Sequence, residues 1–124
     1  QLVEKIMRDR DPIVVAMANF ECLGVGGPFV WANGSNEKMK QLAHRVAREK
    51  QLELTDHTIN GVSADSLSFE RVGIPSLTID GLPLEKLRGI IHTENDNFSA
   101  VVPERFEAAY KLAIELALAM DKSF

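Results

Sequence analysis

Apolar residues recur along the chain with two alternating periods. Leu2, Val3, Ile6 and Met7 share one side of a charged segment, which predicts a helix over 2–8. Asp11-Pro12 ends it, because proline disfavours helical geometry in the residue before it. Ile13 to Asn19 is a continuous apolar run, β-branched at its start and too short for a core helix. It reads as a strand buried on both faces, as in parallel or mixed sheets covered by helices. Gly24, Gly26, Gly27 and Pro28 make a loop, and Phe29 to Ala32 a short second strand.

Asn33-Gly34 is a turn, and Ser35 is placed to cap the next helix. Met39, Leu42, Ala43, Val46 and Ala47 follow at the spacing of one helical face, with Arg48 and Lys50 at the end that favours positive charge. Leu52 to Ile59 alternates partially and reads as a strand near an edge. Ser63 to Arg71 is a short helix closed by Gly73. Ile74 to Ile79 is a further strand, with Pro75 tolerable only near its start. Leu82 to Ile91 fits a loop or a short helix equally. Pro103 opens the last helix, where a missing N–H does no harm. Phe106, Tyr110, Ala113, Ala117 and Met120 recur along it as its core-facing stripe. This order predicts an α/β fold in one domain over 1–124, a mixed β-sheet flanked by helices on both faces.

Composition narrows the function classes. The chain has 124 residues with 45% hydrophobic and 26% charged positions, ordinary for a globular domain. A net charge of -4 lacks the basic face that nucleic acid requires, and no apolar run approaches the roughly 20 residues of a membrane span. A single cysteine, Cys22, excludes an intrachain disulfide framework and a cysteine zinc cluster.

Chemistry is sought at strand ends, where α/β sheets bind ligands. Glu21 follows the first apolar run, and a carboxylate there is costly to bury unless paired or metal-bound. Standing alone, it also reads as the solvated start of a loop. His92 follows Gly89-Ile90-Ile91 and precedes Thr93-Glu94-Asn95-Asp96, an arrangement that suits a metal ligand backed by an acid; alone, it is an ordinary surface histidine. Ser63-Ala64-Asp65-Ser66 is a third polar knot, equally readable as a helix cap. His44 lies off the apolar stripe of its helix and is expected to face solvent, and His57 sits in a polar stretch without pattern. No Gly-x-Ser-x-Gly elbow is present, and the glycine loop lacks the lysine of a phosphate loop.

Four motifs in order, Asn19-Phe20-Glu21, Ser63-Ala64-Asp65-Ser66-Leu67-Ser68-Phe69, Gly73-Ile74-Pro75 and His92-Thr93-Glu94-Asn95-Asp96, resemble the C-terminal half of the co-catalytic di-zinc exopeptidases. That family includes bacterial leucyl aminopeptidases, glutamate carboxypeptidase and glutaminyl cyclase. The resemblance implies that Glu21 is a carboxylate ligand of one zinc and His92 the imidazole ligand of the other. Asp65 and Asp96 match positions that support the site without touching metal. It departs at Glu21, where many members have Asp, and at Ser66, where many have His.

The family's first half supplies a His-x-Asp motif, a bridging Asp and a Glu-Glu pair, and residues 1–124 contain no match to them. The resemblance therefore implies the C-terminal part of a zinc exopeptidase, an aminopeptidase most simply, that hydrolyses peptides with metal-activated water and has two zinc ions when intact. As an isolated chain it is expected to be inactive. It is also expected to self-associate or to bind its missing N-terminal half, with no nucleic-acid or membrane partner. The alternatives are a non-catalytic peptidase-like binding or assembly domain, and glutaminyl cyclase activity in the parent.

Overall fold

The computed structural model describes residues 2–9, 13–61, 64–83, 87–90 and 93–124. The elements run α1 (Leu2–Asp9), β1 (Met17–Glu21), β2 (Phe29–Trp31), α2 (Glu37–Glu49), β3 (Thr55–His57), α3 (Ser66–Glu70), β4 (Ser76–Asp80), α4 (Leu87–Ile90) and α5 (Pro103–Ser123). The four strands form one mixed sheet in the order β1-β4-β2-β3. β1 is parallel to β4, β2 antiparallel to β4, and β3 parallel to β2. The α/β architecture expected from the alternation of elements is the one observed.

Residue alternation along each strand assigns the two faces of the sheet. Val30, Leu77 and Ile79 point to one face and join Met39, Leu42, Ala43, Val46 and Ala47 of α2 and Leu112 and Leu116 of α5 in the main core. Ala18 and Phe20 of β1 pack against it from the side. The opposite face carries α3 and a buried hydroxyl network. Ser66 Oγ donates to the Gly34 carbonyl and shares a 2.7 Å hydrogen bond with Thr78 Oγ1, and Ser76 Oγ donates to the Ser66 carbonyl. Each buried hydroxyl is thereby satisfied, as burial requires.

Three sequence expectations shift in the structure. The first strand begins at Met17, not Ile13; Ile13 is 79% exposed and β1 is only half-buried throughout. β1 lies at the end of the sheet, so it has one neighbour, β4, among the described residues, and cannot be covered like a central strand. The strand buried at every position is β4. The cap of α2 is Asn36, whose side chain accepts from the Met39 N–H, while Ser35 Oγ instead accepts from the Thr78 N–H at 3.0 Å. On α5 the buried residues are Ala109, Leu112 and Leu116. Phe106 and Tyr110 are more than half exposed, as is Leu118 one face further round. That helix carries apolar residues on most of its circumference, so periodicity alone does not select the face that packs.

Candidate active site at the strand ends

The register brings two carboxylates together. Glu21 ends β1 and Asp80 ends β4, and they are direct partners across the parallel pair. Ala18 and Phe20 face the main core with Leu77 and Ile79, so Glu21 and Asp80 share the opposite face. Asn19 Nδ2 donates to Glu21 Oε2 at 3.3 Å from the same face. Asp80 is only 6% exposed, and its Oδ1 accepts from the Leu82 N–H at 2.7 Å. Burial pushes the Glu21 carboxyl above the ordinary range; the charges of Asp80 and Asp65 add to this and the Asn19 hydrogen bond opposes it. Asp80 is raised in the same way by burial, against the backbone N–H groups of Leu82 and Gly81 and the influence of His57. No Lys or Arg pairs with Glu21, Asp80 or Asp65 among the described residues.

The glycine loop seals this end of the sheet. The Gly26 N–H donates to the Gly81 carbonyl at 2.6 Å, and the Val102 N–H to the Gly24 carbonyl at 2.6 Å. A Cβ at Gly81 would stand 2.8 Å from Leu23 Cα and 2.9 Å from the Cys22 carbonyl oxygen, so only glycine lets the two backbones approach this closely. Cys22 follows Glu21 with φ 51°. Burial, then the charges of Asp80, Glu21 and Asp96, push its thiol up to about 11. That environment suits neither a nucleophile nor a resting thiolate.

Of the residues singled out in the sequence, Glu21 and Asp65 fall within electrostatic reach of each other, and Asp96 reaches Cys22. Asp65 occupies the cap position of α3 without making a capping hydrogen bond. Ser66 is fully buried in the hydroxyl network. Asp96 lines a cavity of about 100 Å³ together with Cys22, Leu82, Ile90 and Val101, which places Ile90 and Asp96 beside the residue that follows β1. His92 and Ser63 lie outside the described residues.

His44 does not simply face solvent. Its Nε2 lies 2.6 Å from Asp56 Oδ1, and the side chain is partly buried. His57 stacks on Phe29 with ring centroids 3.9 Å apart and acts electrostatically on Asp80. Asp80 was not singled out in the sequence. The signal was present, because Asp80 closes the strand Ser76–Asp80 just as Glu21 closes Met17–Glu21.

Among the described residues no group of three His, Cys, Asp or Glu side chains is arranged to hold a metal ion. The chemistry of the donors present nevertheless fits a divalent cation. Glu21 and Asp80 offer adjacent oxygen ligands with no Lys or Arg partner among the described residues, and Asn19 orients one of them. No helix among the described residues is long and apolar enough to cross a membrane. The family model described as Peptidase family M28 matches residues 7–117. No protein in a search of the curated proteins matches the chain.

Proposed function

The chain belongs to peptidase family M28, a family of zinc-dependent peptidases, and from that premise we propose that it carries the C-terminal part of an exopeptidase catalytic domain, most simply an aminopeptidase. The observation that supports this reading is the pairing of Glu21 with Asp80 at the carboxyl ends of two parallel strands. Both carboxyls are raised by burial, Glu21 further by the charge of Asp80, and with no Lys or Arg paired to them among the described residues a bound cation would relieve them. In this reading Glu21 and His92 hold zinc, Asp80 and Asp65 supply negative charge beside it, and Asp96 supports the site without touching metal. Zinc, when bound, polarises the scissile carbonyl and lowers the pKa of a water. Asn19 holds the Glu21 carboxylate in one orientation, and backbone hydrogen bonds tie the Gly24–Gly27 loop across that end of the sheet.

Glu21 and His92 do not complete a catalytic zinc site, which takes three protein ligands. We infer that polypeptide beyond these residues supplies the rest, along with the general base. Two unpartnered surfaces support such a partner: the outer edge of β1, and the exposed face of α5 bearing Phe106, Tyr110, Ile114 and Leu118. A strand added to that edge places its own end beside Glu21. Without this partner the isolated chain self-associates through the same surfaces.

The test is hydrolysis of an amino-acid p-nitroanilide. The isolated chain with added zinc is expected to be inactive. The same chain joined to a segment bearing the His-x-Asp and Glu-Glu motifs is expected to give turnover that a chelator abolishes and E21Q removes. Chelator-sensitive turnover by the isolated chain would overturn the incomplete-site reading. Inactivity of the joined protein despite bound zinc would favour a non-catalytic binding domain, and cyclisation of an N-terminal glutamine peptide would favour the cyclase.

A further inference from the structure

We propose that the groove along α2 binds a phosphate-type oxyanion. A cavity of about 650 Å³ runs beside the helix, lined by Lys38, Gln41, His44, Arg45, Arg48 and Asp56 among others. Lys38, Gln41, Arg45 and Arg48 follow one another at intervals of three and four, so they share one face. Four Lys and Arg side chains line the cavity against two carboxylates, in a chain whose overall charge is -4.

Both carboxylates are already engaged. Asp56 Oδ1 lies 2.6 Å from His44 Nε2, and Glu37 Oε2 lies 2.9 Å from Lys40 Nζ. Lys38 Nζ sits 4.3 Å over the Phe124 ring and makes no ion pair with an Asp or Glu among the described residues. The guanidinium groups of Arg45 and Arg48 have no hydrogen-bond or ion-pair partner among the described residues.

The surplus is therefore two free guanidinium groups one helical turn apart, with an ammonium two turns further along. A guanidinium fork matches the geometry of phosphate oxygens, and two of them engage separate oxygens of one phosphoryl group. Lys38 lies about 10 Å from Arg45 along the axis, within reach of a further phosphoryl of an extended chain. A single carboxylate carries one charge and two oxygens and uses this arrangement less fully. The groove lies on the α2 side of the sheet, away from the face that carries Glu21 and Asp80. It stands or falls independently of the peptidase reading.

The probes are inorganic phosphate, tripolyphosphate and a phosphoserine tripeptide, titrated into the full chain while the Nε–H signals of the arginines are followed by NMR. Ionic strength is held constant with chloride. Saturable shifts confined to Arg45 and Arg48 are expected, with tripolyphosphate binding at least about tenfold tighter than phosphate. R45A and R48A should each weaken binding about tenfold. K111A, which removes an exposed lysine on α5, should leave it unchanged. Tighter binding of the tripeptide than of tripolyphosphate would identify a peptide as the carrier of the phosphoryl group. Shifts that chloride reproduces, that do not saturate, or that K111A weakens as much as R45A would overturn the proposal. Both arginines are exposed, so the variants retain the fold, and an unchanged far-ultraviolet circular dichroism spectrum checks this.

Discussion

Replacing Gly81 by alanine is the most direct probe of how the site is closed. The added Cβ would lie 2.8 Å from Leu23 Cα, 2.9 Å from the Cys22 carbonyl oxygen and 3.1 Å from the Gly24 nitrogen. All three are backbone atoms of the loop that begins one residue after Glu21, so no side-chain rotation relieves the contact. The loop must lift from β4, which breaks the 2.6 Å bond from the Gly26 N–H to the Gly81 carbonyl. Overpacking of this kind costs about 1–3 kcal/mol, and the rigid contacts place Gly81→Ala near the upper end. The urea midpoint should fall with an unchanged m-value, and Tm should drop by about 10 °C. Gly89→Ala is the control, because its Cβ would meet nothing within 4 Å. It should stay within about 1 kcal/mol of the parent. A Gly81→Ala protein with the parental urea midpoint would refute the close-approach argument.

Further outcomes follow from other features. With its thiol pushed up to about 11, Cys22 should react with iodoacetamide at pH 8 about a hundredfold more slowly than an unperturbed thiol; a rate near that of free cysteine would contradict the burial and charge described. Asp80→Asn should stabilise the metal-free chain at neutral pH. Its folded-state pKa is raised, so the unfolded carboxyl ionises first and stability is lost as pH climbs from the unfolded value through the folded one. The gain should vanish below about pH 4, and urea midpoints from pH 4 to 7 measure it. Asn36→Ala removes the cap of α2 and should cost about 1 kcal/mol in urea unfolding. Tyr110→Glu combined with Leu118→Lys should shift the isolated chain toward monomer in light scattering without lowering its Tm; an unchanged mass would remove α5 from the association surface.

Much of the fold was legible because several segments have one unambiguous period. In α2 all five apolar positions named from the sequence are buried, since its other faces are charged and leave one stripe to pack. α5 offered no such contrast, and the larger aromatics Phe106 and Tyr110 drew attention from Ala109, Leu112 and Leu116. Strand order was not legible. No local pattern says that β4 inserts between β1 and β2, because that depends on which elements cover the sheet. Glu21 was found as an acid closing an apolar run, whereas Asp80 closes a strand broken by Ser76 and Thr78 and was passed over. The role of His57 appears only through strand pairing, which sets Thr55 opposite Phe29 and His57 opposite Trp31.

The position of β4 also orders events in time. β1 and β2 emerge early from a ribosome, yet they do not pair with each other; each hydrogen-bonds to β4, which is made far downstream. The α2 helix can form locally, but the apolar segment leading into β1 must wait with its backbone groups unpaired. Long-range pairing of this kind folds slowly and leaves a nascent chain exposed to aggregation and dependent on chaperones. A ribosome stalled before Ser76 would hold a protein with α2 and only the short β2–β3 pair of the sheet, β1 still unpaired. Once β4 docks against β1, Glu21 and Asp80 become neighbours, so the carboxylate pair forms only with this long-range pairing.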